Sequence, residues 1–329
     1  MTMSAELAAK LAFLRASDAF DGVGQVIETH MSWVFLSERR AFKLKKPVRL
    51  PYVDYTTLER RRQSCENELG LGRRLATNVY EAVVPLVATA RGLAIGGDGE
   101  IVDWLVVMRR LPADRMLPEM LARGAATVAD ADRLGELLSS FYRGARRTTW
   151  DGAEYRRRLR ALVVTYSAEL LARGGPREVV ERIAGGALAA IEREQRALDT
   201  RVAEGRVIDA HGDLRPEHVC LEDPPVIIDP LELDADLRTL DAASELAFFT
   251  LECDRLDASW FGERVLARYA ELTCDPLPPR VIALYRAQHA LIRALIALRH
   301  VDDVPSADQP RWRAKAGDYL ARARHSELP

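Results

Sequence analysis

The chain has 329 residues, of which 48% are hydrophobic and 29% are charged, a balance typical of soluble globular proteins. Its 47 basic and 49 acidic side chains exclude a dedicated nucleic-acid binder, because such proteins gain much of their affinity from a basic excess. No apolar run approaches the roughly 18 residues of a membrane span, and the 4 scattered cysteines form no C-x-x-C pair. We therefore expect a cytoplasmic protein with reduced thiols, long enough for two domains, and no membrane partner.

Strand signals dominate the first third of the chain. The first 20 residues instead have the pattern of an amphipathic helix. Short β-prone runs follow, and polar and apolar residues alternate along Ala41–Lys45 with the period of a half-buried strand. The predicted strands are 25–30, 33–37, 41–45, 83–88, 93–95 and 102–108.

Two local patterns connect these strands. Thr56 and Glu59 have the spacing of a capping box, which predicts a charged helix that ends near Ala76. The glycine-rich segment 96–99 is typical of a hairpin turn between the last two strands.

Long helical patterns follow Pro112, and Asp241 is expected to be an N-cap within them. A strand-and-loop island at 207–233 interrupts them, with a predicted hairpin of 219–221 and 226–228. This order predicts an α+β fold with a β-rich lobe over 1–111 and a larger helical lobe over 112–329. The predicted helices are 128–146, 152–173, 176–204, 235–253, 257–272, 279–300 and 309–325.

The island also holds the residues that suit phosphoryl transfer. Asp213 lies in the string His211-Gly-Asp213-Leu-Arg215, where a loop would present it, and Asp229 follows the second hairpin strand 16 residues later. Phosphoryl transfer needs a carboxylate that orients the attacking hydroxyl, ligands for Mg²⁺ and positive charge for the phosphates. The hairpin would return the chain toward Asp213, so that both carboxylates face one site. This arrangement fits one general base and one metal ligand.

The string around Asp213 and the Ile228-Asp229 pair resemble the catalytic loop and metal-binding Asp of aminoglycoside phosphotransferase-like kinases, which include choline kinases. The resemblance covers nearly the whole chain and implies a bilobal protein-kinase-like fold with a nucleotide-binding first lobe. It is strongest for a branch of uncharacterised phosphotransferase domains that are sometimes fused to a P-loop ATPase, although no P-loop motif occurs in this sequence. The strings that match this branch are Thr29–Leu36, Phe42–Val48, Cys65–Leu69, Asp229–Glu232 and Leu237–Ala247.

The resemblance implies ATP-dependent transfer of a phosphoryl group to a hydroxyl of a small polar molecule, with Mg²⁺ or Mn²⁺ as the cation. Asp213 would be the catalytic carboxylate, and Asp229 and His218 would hold the metal. Arg215, two residues past Asp213, either reaches the transferred phosphoryl group through its fork of donors or is a solvated or structural arginine. The wider family has Asn at position 218, and imidazole suits softer cations than Mg²⁺. His218 is therefore a weaker ligand, a group that orients water or a structural histidine. His211 matches a loop histidine with an architectural role.

In the first lobe, the resemblance implies that Lys43 contacts the nucleotide phosphates and that Glu68 pairs with it. Lys45 points to the same face of its strand, so spacing alone does not choose between the two lysines, and one of them is expected to face solvent on an edge strand. Glu66 competes with Glu68 for the pairing role.

Two further residues complete the predicted nucleotide site. Ser32 lies in the turn that replaces a glycine-rich loop, where it would cap the phosphates. Arg109 lies in Met108–Leu111, a string that resembles the hinge that receives adenine.

Other functions stay open. A nucleotide-binding pseudokinase is the alternative, because the glycine-rich loop is missing and position 218 is His. A metal-dependent hydrolase would use His211, Asp213 and His218 as a metal triad. Four carboxylates of the helical lobe would suit a cationic acceptor, or they form a solvated face. These carboxylates are Glu245, Glu252, Asp254 and Asp257.

Overall fold

The structure is a computed structural model that describes residues 4–16, 24–50, 53–302 and 304–325. Its contacts divide the chain into two compact units. The first unit consists of Met1–Glu119 with His218–Leu237, and the second of Met120–Glu217 with Arg238–Pro329. Strands dominate the larger segment of the first unit and helices the second, which confirms the predicted α+β class.

A six-stranded antiparallel sheet forms the centre of the first unit, in the strand order β1-β2-β3-β8-β6-β7. Of the predicted N-terminal helix, residues 1–3 and 17–20 lie outside the described residues. The elements up to residue 122 are α1 (Ala5–Ala16), β1 (Gln25–Glu28), β2 (Ser32–Leu36), β3 (Arg40–Lys45), β4 (Arg49–Leu50), β5 (Val53–Asp54), α2 (Leu58–Gly72), β6 (Tyr80–Thr89), β7 (Gly92–Ile95), β8 (Glu100–Arg109) and α3 (Leu117–Ala122).

The strand order corrects two predictions. Strands β7 and β8 lie on opposite sides of β6, so the segment 96–99 connects them without forming a hairpin. Strand β3 lies between β2 and β8, so neither of its lysines is on an edge strand. Lys43 and Lys45 are both buried, because the sheet has a packed layer over this face.

Helix α2 begins one residue later than the capping box predicts. The side chain of Thr57 accepts a hydrogen bond from the backbone N–H of Arg60, whereas Thr56 is bound to Asp54. The helix ends at Gly72, where a Cβ atom would lie 2.3 Å from the ring of Tyr80. Only glycine allows this close approach of α2 to β6.

Helices form most of the remaining chain. The predicted helix 176–204 is two helices that meet at Glu194, and the predicted helix 235–253 is interrupted by a strand. That strand pairs with the one that precedes Asp213 in the sequence. The remaining elements are α4 (Val128–Gly144), α5 (Gly152–Ala172), α6 (Arg177–Arg193), α7 (Gln195–Ala203), β9 (Val207–Asp209), β10 (Val219–Cys220), β11 (Val226–Ile227), α8 (Ala235–Arg238), β12 (Thr239–Asp241), α9 (Ala242–Arg255), α10 (Ser259–Thr273), α11 (Pro279–Val301) and α12 (Gln309–His325).

The β10–β11 hairpin forms as predicted, and its position explains why the compact units do not divide after residue 111. Cys220 and Val226 are buried in one apolar cluster with Val79, Tyr80 and Met108. The hairpin segment therefore packs with the first unit, although most of its sequence neighbours belong to the second.

The core of the second unit is an apolar cluster built largely from α5, α6, α9, α11 and α12. Asp241 caps α9 as predicted, and its carboxylate accepts a hydrogen bond of 2.9 Å from the backbone N–H of Ala243. Among the described helices, α11 is long and apolar enough to cross a membrane, which corrects the prediction that no such run exists. Because 67% of its most apolar stretch is buried inside the protein, α11 is built as a core helix.

Candidate active site

Lys43 lies between two carboxylates in the first unit. Its Nζ is 2.8 Å from Oε1 of Glu68 on α2 and 2.5 Å from Oδ1 of Asp229, which follows β11. Desolvation opposes the charge of this buried lysine, but Asp229 and Glu68 outweigh it and raise the pKa of Lys43 well above its usual value. Lys43 is therefore a fixed positive charge next to the predicted metal-binding residue.

Lys45, two residues further along β3, also lies between two carboxylates. Its Nζ lies 2.5 Å from Oε2 of Glu68 and 2.5 Å from Oε1 of Glu232. The hydroxyl of Tyr55 donates a hydrogen bond of 3.0 Å to the same Glu232 oxygen. Glu68 thus bridges both lysines, whereas Glu66 is exposed and pairs with Arg62.

Asp229 is held in an unusual backbone conformation. Its φ is 61°, in the left-handed region that Asp tolerates better than most residues, and its N–H donates a hydrogen bond of 2.9 Å to the hydroxyl of Tyr80. Oδ2 lies 3.5 Å from Nε2 of His218. Desolvation opposes ionisation, but Lys43 and His218 hold the pKa of Asp229 well below its usual range. The carboxylate is therefore ionised, and its side chain keeps 43% of its surface exposed.

The donor set around Asp229 fits a nucleotide-bound divalent cation. Such a cation takes one or two carboxylates from the protein, and phosphates and water supply its other ligands. Asp229 provides a hard oxygen, and His218 provides a nitrogen on the same side. Within the described ranges, no three His, Cys, Asp or Glu side chains are grouped as a metal site, so the triad of His211, Asp213 and His218 has no support there.

The loop that carries Asp213 belongs to the second unit. Gly212 precedes it with a φ of 86°, which glycine adopts without strain. The carboxylate of Glu245 on α9 accepts hydrogen bonds from the backbone N–H of Gly212, at 2.6 Å, and of His211, at 3.2 Å. Nδ1 of His211 accepts the N–H of Asp213 at 3.3 Å, and Tyr142 donates to Glu245 at 2.9 Å. These bonds fix the loop, in line with the architectural role predicted for His211.

Two guanidinium groups flank the Asp213 carboxylate. Nη1 of Arg215 lies 3.9 Å from Oδ2, and Nη1 of Arg293 on α11 lies 4.0 Å from Oδ1. Arg293 also contacts Oε1 of Glu252 through Nε at 3.1 Å, and Arg215 contacts Oε1 of Glu217 at 3.1 Å. Glu245 and Glu252 are each 1% exposed, so the prediction of a solvated acidic face is wrong for both.

The predicted site residues therefore fall into two groups. Lys43, Glu68, Asp229 and His218 lie together in the first unit, and Asp213 lies with Arg215 in the second.

Ser32 and Arg109 both form hydrogen bonds to other residues of the first unit. The N–H of Ser32 donates to Oγ1 of Thr29 at 3.0 Å, which closes the turn between β1 and β2. Arg109 makes a bidentate pair with Glu222 at 2.8 and 2.7 Å. A role for either residue in nucleotide binding stays a prediction.

The sequence patterns assigned no role in the site to Glu232 or Arg293, and Glu245 was considered only as part of an acidic surface for a cationic acceptor. Glu232 and Glu245 both lie in strings that match the family branch, and this was a usable signal for their importance. Arg293 had no such signal, because it is one of several arginines on predicted helices.

Comparison with known proteins gives the family. The sequence model of the phosphotransferase enzyme family (APH) matches residues 45–281. Uncharacterised proteins of Mycobacterium tuberculosis and Mycobacterium bovis are 31% identical over 279 residues, which is 82% of this chain and 54% of each relative. The chain thus spans about half the length of the curated relatives that it matches.

Solved structures share the fold. A choline/ethanolamine kinase family protein from Mesorhizobium loti has a TM-score of 0.54 and 18% identity, over 96% of this chain and 92% of that chain. The GDP and kanamycin complex of APH(2")-IIia has a TM-score of 0.51 and 14% identity, over 97% and 99%. These likenesses confirm the predicted protein-kinase-like fold. Because the family match covers residues 45–281, well over half of the sequence, the chain belongs to the phosphotransferase enzyme family.

Proposed function

We propose that the chain transfers the γ-phosphoryl group of ATP to a hydroxyl of a small polar molecule, with Mg²⁺ or Mn²⁺ as the cation. The observation that carries this proposal is the position of Lys43, 2.8 Å from Glu68 and 2.5 Å from Asp229. Kinases of this type need a strand lysine paired with a helix glutamate, and a metal-binding Asp beside them. Membership of a phosphotransferase family and the GDP in the APH(2")-IIia complex support a nucleotide as the donor.

The chemistry assigns a role to each charged residue. The acceptor hydroxyl oxygen forms the new bond to Pγ, the bond from Pγ to the bridging oxygen breaks, and ADP leaves with its electron pair. Asp213 accepts the hydroxyl proton and passes it to solvent, while Arg215 offers its donors to the phosphoryl oxygens. Lys43 binds the phosphates. Asp229 and His218 would hold the cation, which neutralises charge on the phosphates.

We also propose that the enzyme works in the cytoplasm and needs neither nucleic acid nor membrane. The four cysteines are thiols, of which Cys65, Cys220 and Cys253 are buried. Burial raises the pKa of the Cys65 thiol to about 12, so this thiol stays protonated. Unpaired thiols are typical of a reducing compartment.

Two measurements test the proposal. Millimolar ATP with Mg²⁺ or Mn²⁺ should raise the melting temperature, because a ligand that binds only the folded state stabilises it. Release of ADP should then depend on an added hydroxyl compound from a panel of aminoglycosides, amino sugars and choline-like alcohols. Lys43→Met should abolish the thermal shift, whereas Arg62→Gln, an exposed change on α2, should retain it.

The results separate the proposal from a pseudokinase. The pseudokinase is a second candidate because Lys43 already pairs with Asp229, the residue that would hold the metal. Absence of any thermal shift with either cation contradicts both candidates. A shift without transfer to any acceptor supports the pseudokinase.

A further inference from the structure

Cationic side chains gather beside Asp213 in the second unit. Tyr319 of α12 lies between two of them, with the guanidinium carbon of Arg255 4.6 Å and that of Arg293 5.6 Å from its ring centroid. Arg293 in turn lies 4.0 Å from Asp213. Lys315, one turn before Tyr319, lies on the same face of α12. The surroundings of the catalytic carboxylate are therefore rich in positive charge.

Glu252 and Asp254, the carboxylates near these cations, already form hydrogen bonds and ion pairs within the protein. Glu252 accepts hydrogen bonds through Oε1 from Tyr319, at 2.8 Å, and through Oε2 from Arg255, at 3.0 Å. Its Oε1 also pairs with Arg293. Asp254 pairs with Arg286 on α11. These groups do not offer an acidic surface to a cationic acceptor.

Lys315 differs from the arginines around it. Its Nζ lies 5.1 Å from the ring centroid of Trp312, and within the described residues no carboxylate forms an ion pair with it. Burial and the positive charges of Arg255, Arg293 and Arg215 lower the pKa of Lys315. The Glu252 carboxylate offsets this effect only in part, so a half-buried ammonium that makes no direct ion pair is favoured further when an anion binds.

Two buried donors add to this picture. In the described part of the chain, no hydrogen-bond partner is found for two buried nitrogen atoms. They are Nε of Arg215, whose guanidinium lies near the Asp213 carboxylate, and Nε1 of Trp312, whose ring lies near the Lys315 ammonium. Donors of this kind are normally satisfied by an acceptor or by water.

We propose that the phosphoryl acceptor carries a carboxylate or phosphate in addition to its hydroxyl, and that Lys315 binds this anionic group. The inference rests on the proposed function, because it names the chemical class of the acceptor at the Asp213 side. An ammonium is a compact point charge that suits either anion. The positive surroundings would concentrate such acceptors and disfavour polycationic ones such as aminoglycosides.

Binding can be measured without turnover. The probes are inorganic phosphate and the matched pair of glucose and glucose 6-phosphate, titrated into nucleotide-free protein by calorimetry. The wild type should bind the two phosphate compounds and not glucose, and Lys315→Gln should weaken this binding by about tenfold or more. Arg313→Gln is the matched control, because Arg313 is an exposed cation two residues away on α12. Binding that does not depend on Lys315 would overturn the inference.

Turnover gives the second test. Glucose, glucosamine, gluconate and glucose 6-phosphate present similar hydroxyls on neutral, cationic and anionic skeletons. We expect the highest kcat/KM for an anionic member, and we expect Lys315→Gln to raise its KM about tenfold while the neutral member changes less. A preference for glucosamine or kanamycin would overturn the inference and leave the proposed function intact.

The remaining results are also decisive. An equal fall in kcat for neutral and anionic acceptors in Lys315→Gln would place Lys315 on the transferred phosphoryl group and refute the assignment. If ATP binds but no acceptor is phosphorylated, the proposed function fails, and calorimetry with the phosphate probes still decides whether Lys315 binds anions.

Discussion

The ammonium of Lys45 lies 2.5 Å from a carboxylate oxygen of Glu232, and both side chains are buried. Desolvation opposes both charges, yet the pKa of Lys45 is raised and that of Glu232 is lowered, because each stabilises the ionised form of the other. Glu68 joins this pair to Lys43. The side chains therefore form a row of alternating charges that links β3, α2 and the segment after β11. In order, this row is Lys43, Glu68, Lys45 and Glu232.

Breaking this pair should destabilise the fold. Lys45→Met leaves Glu232 buried without its main counterion, and the loss of one partner of a buried pair costs about 3–5 kcal/mol. Urea unfolding measures the change in the free energy of unfolding. The exposed pair of Arg62 and Glu66 provides the control, since Arg62→Gln should cost about 0.5 kcal/mol or less.

A double variant tests the coupling between the two residues. Lys45→Met with Glu232→Met removes both charges, so it should cost less than the sum of the single changes. Strict additivity would mean that Lys45 and Glu232 do not stabilise each other.

Period-two alternation was enough to place Lys43 and Lys45 on one face of β3. It could not show that this face is buried, because that depends on the pairing of β3 with β8, about 60 residues later in the chain. The same limit explains the wrong hairpin at 96–99, since local glycine content does not reveal that β6 lies between β7 and β8.

The loop that carries Asp213 shows the same division between local and long-range signals. The Gly212-Asp213 pair is a local pattern, and the positive φ of Gly212 agrees with it. Glu245 anchors that loop from 33 residues away in the sequence, so helical periodicity could place it only on a helix. The unexpected strand β12 arises because it pairs with β9, a contact that the helical pattern of 235–253 conceals.

Glu245→Gln should slow catalysis more than it weakens nucleotide binding. The amide replaces one acceptor oxygen with a donor, so one of the N–H groups of His211 and Gly212 loses its partner. A small shift of the loop would displace Asp213, and we expect kcat to fall by about 10²-fold with little change in the KM for ATP. Tyr142→Phe is the control, because it removes only a side-chain bond to Glu245 and should have a smaller effect. A change in the KM for ATP alone would contradict the positioning role.

His289 should make stability depend on pH. Burial and the charge of Arg293 lower the pKa of His289 to about 4, from an ordinary value of 6.5. The unfolded chain therefore binds a proton first, so this contribution to stability is complete above about pH 6.5 and is lost as the pH falls to about 4. Urea unfolding at pH 7, 6 and 5 should show His289→Gln with a flatter decline, by up to about 1.4 kcal/mol per pH unit.

A variant of its hydrogen-bond partner serves as the control for His289. Ser244→Ala removes the 3.0 Å contact to Nε2 of His289 without removing a titrating group, so it should lower stability by a similar amount at each pH. An unchanged slope in His289→Gln would show that this histidine does not dominate the acid response.

His218→Asn should strengthen Mg²⁺-dependent nucleotide binding. Nε2 of His218 lies 3.5 Å from Oδ2 of Asp229, so an amide oxygen at this position would offer a harder ligand for the cation. The measurement is the Mg²⁺ concentration that half-saturates the thermal shift with ATP. His218→Leu removes the imidazole without supplying an oxygen and should show no gain. Equal behaviour of the Asn and Leu variants would remove His218 from the metal site.

Asp213 and Asp229 should fail in different ways when each is changed to Asn. Asp213→Asn removes the proposed proton acceptor but no proposed phosphate ligand, so ATP·Mg²⁺ affinity should stay nearly intact while transfer falls by about 10²–10⁴-fold. Asp229→Asn removes the charged oxygen that would hold the cation, so nucleotide binding should weaken together with turnover, and excess Mn²⁺ should restore part of both. Calorimetry with ATP and each cation, followed by initial rates on an identified acceptor, separates the two variants. Wild-type turnover in Asp213→Asn would show that another group accepts the proton, because the asparagine amide cannot act as a general base.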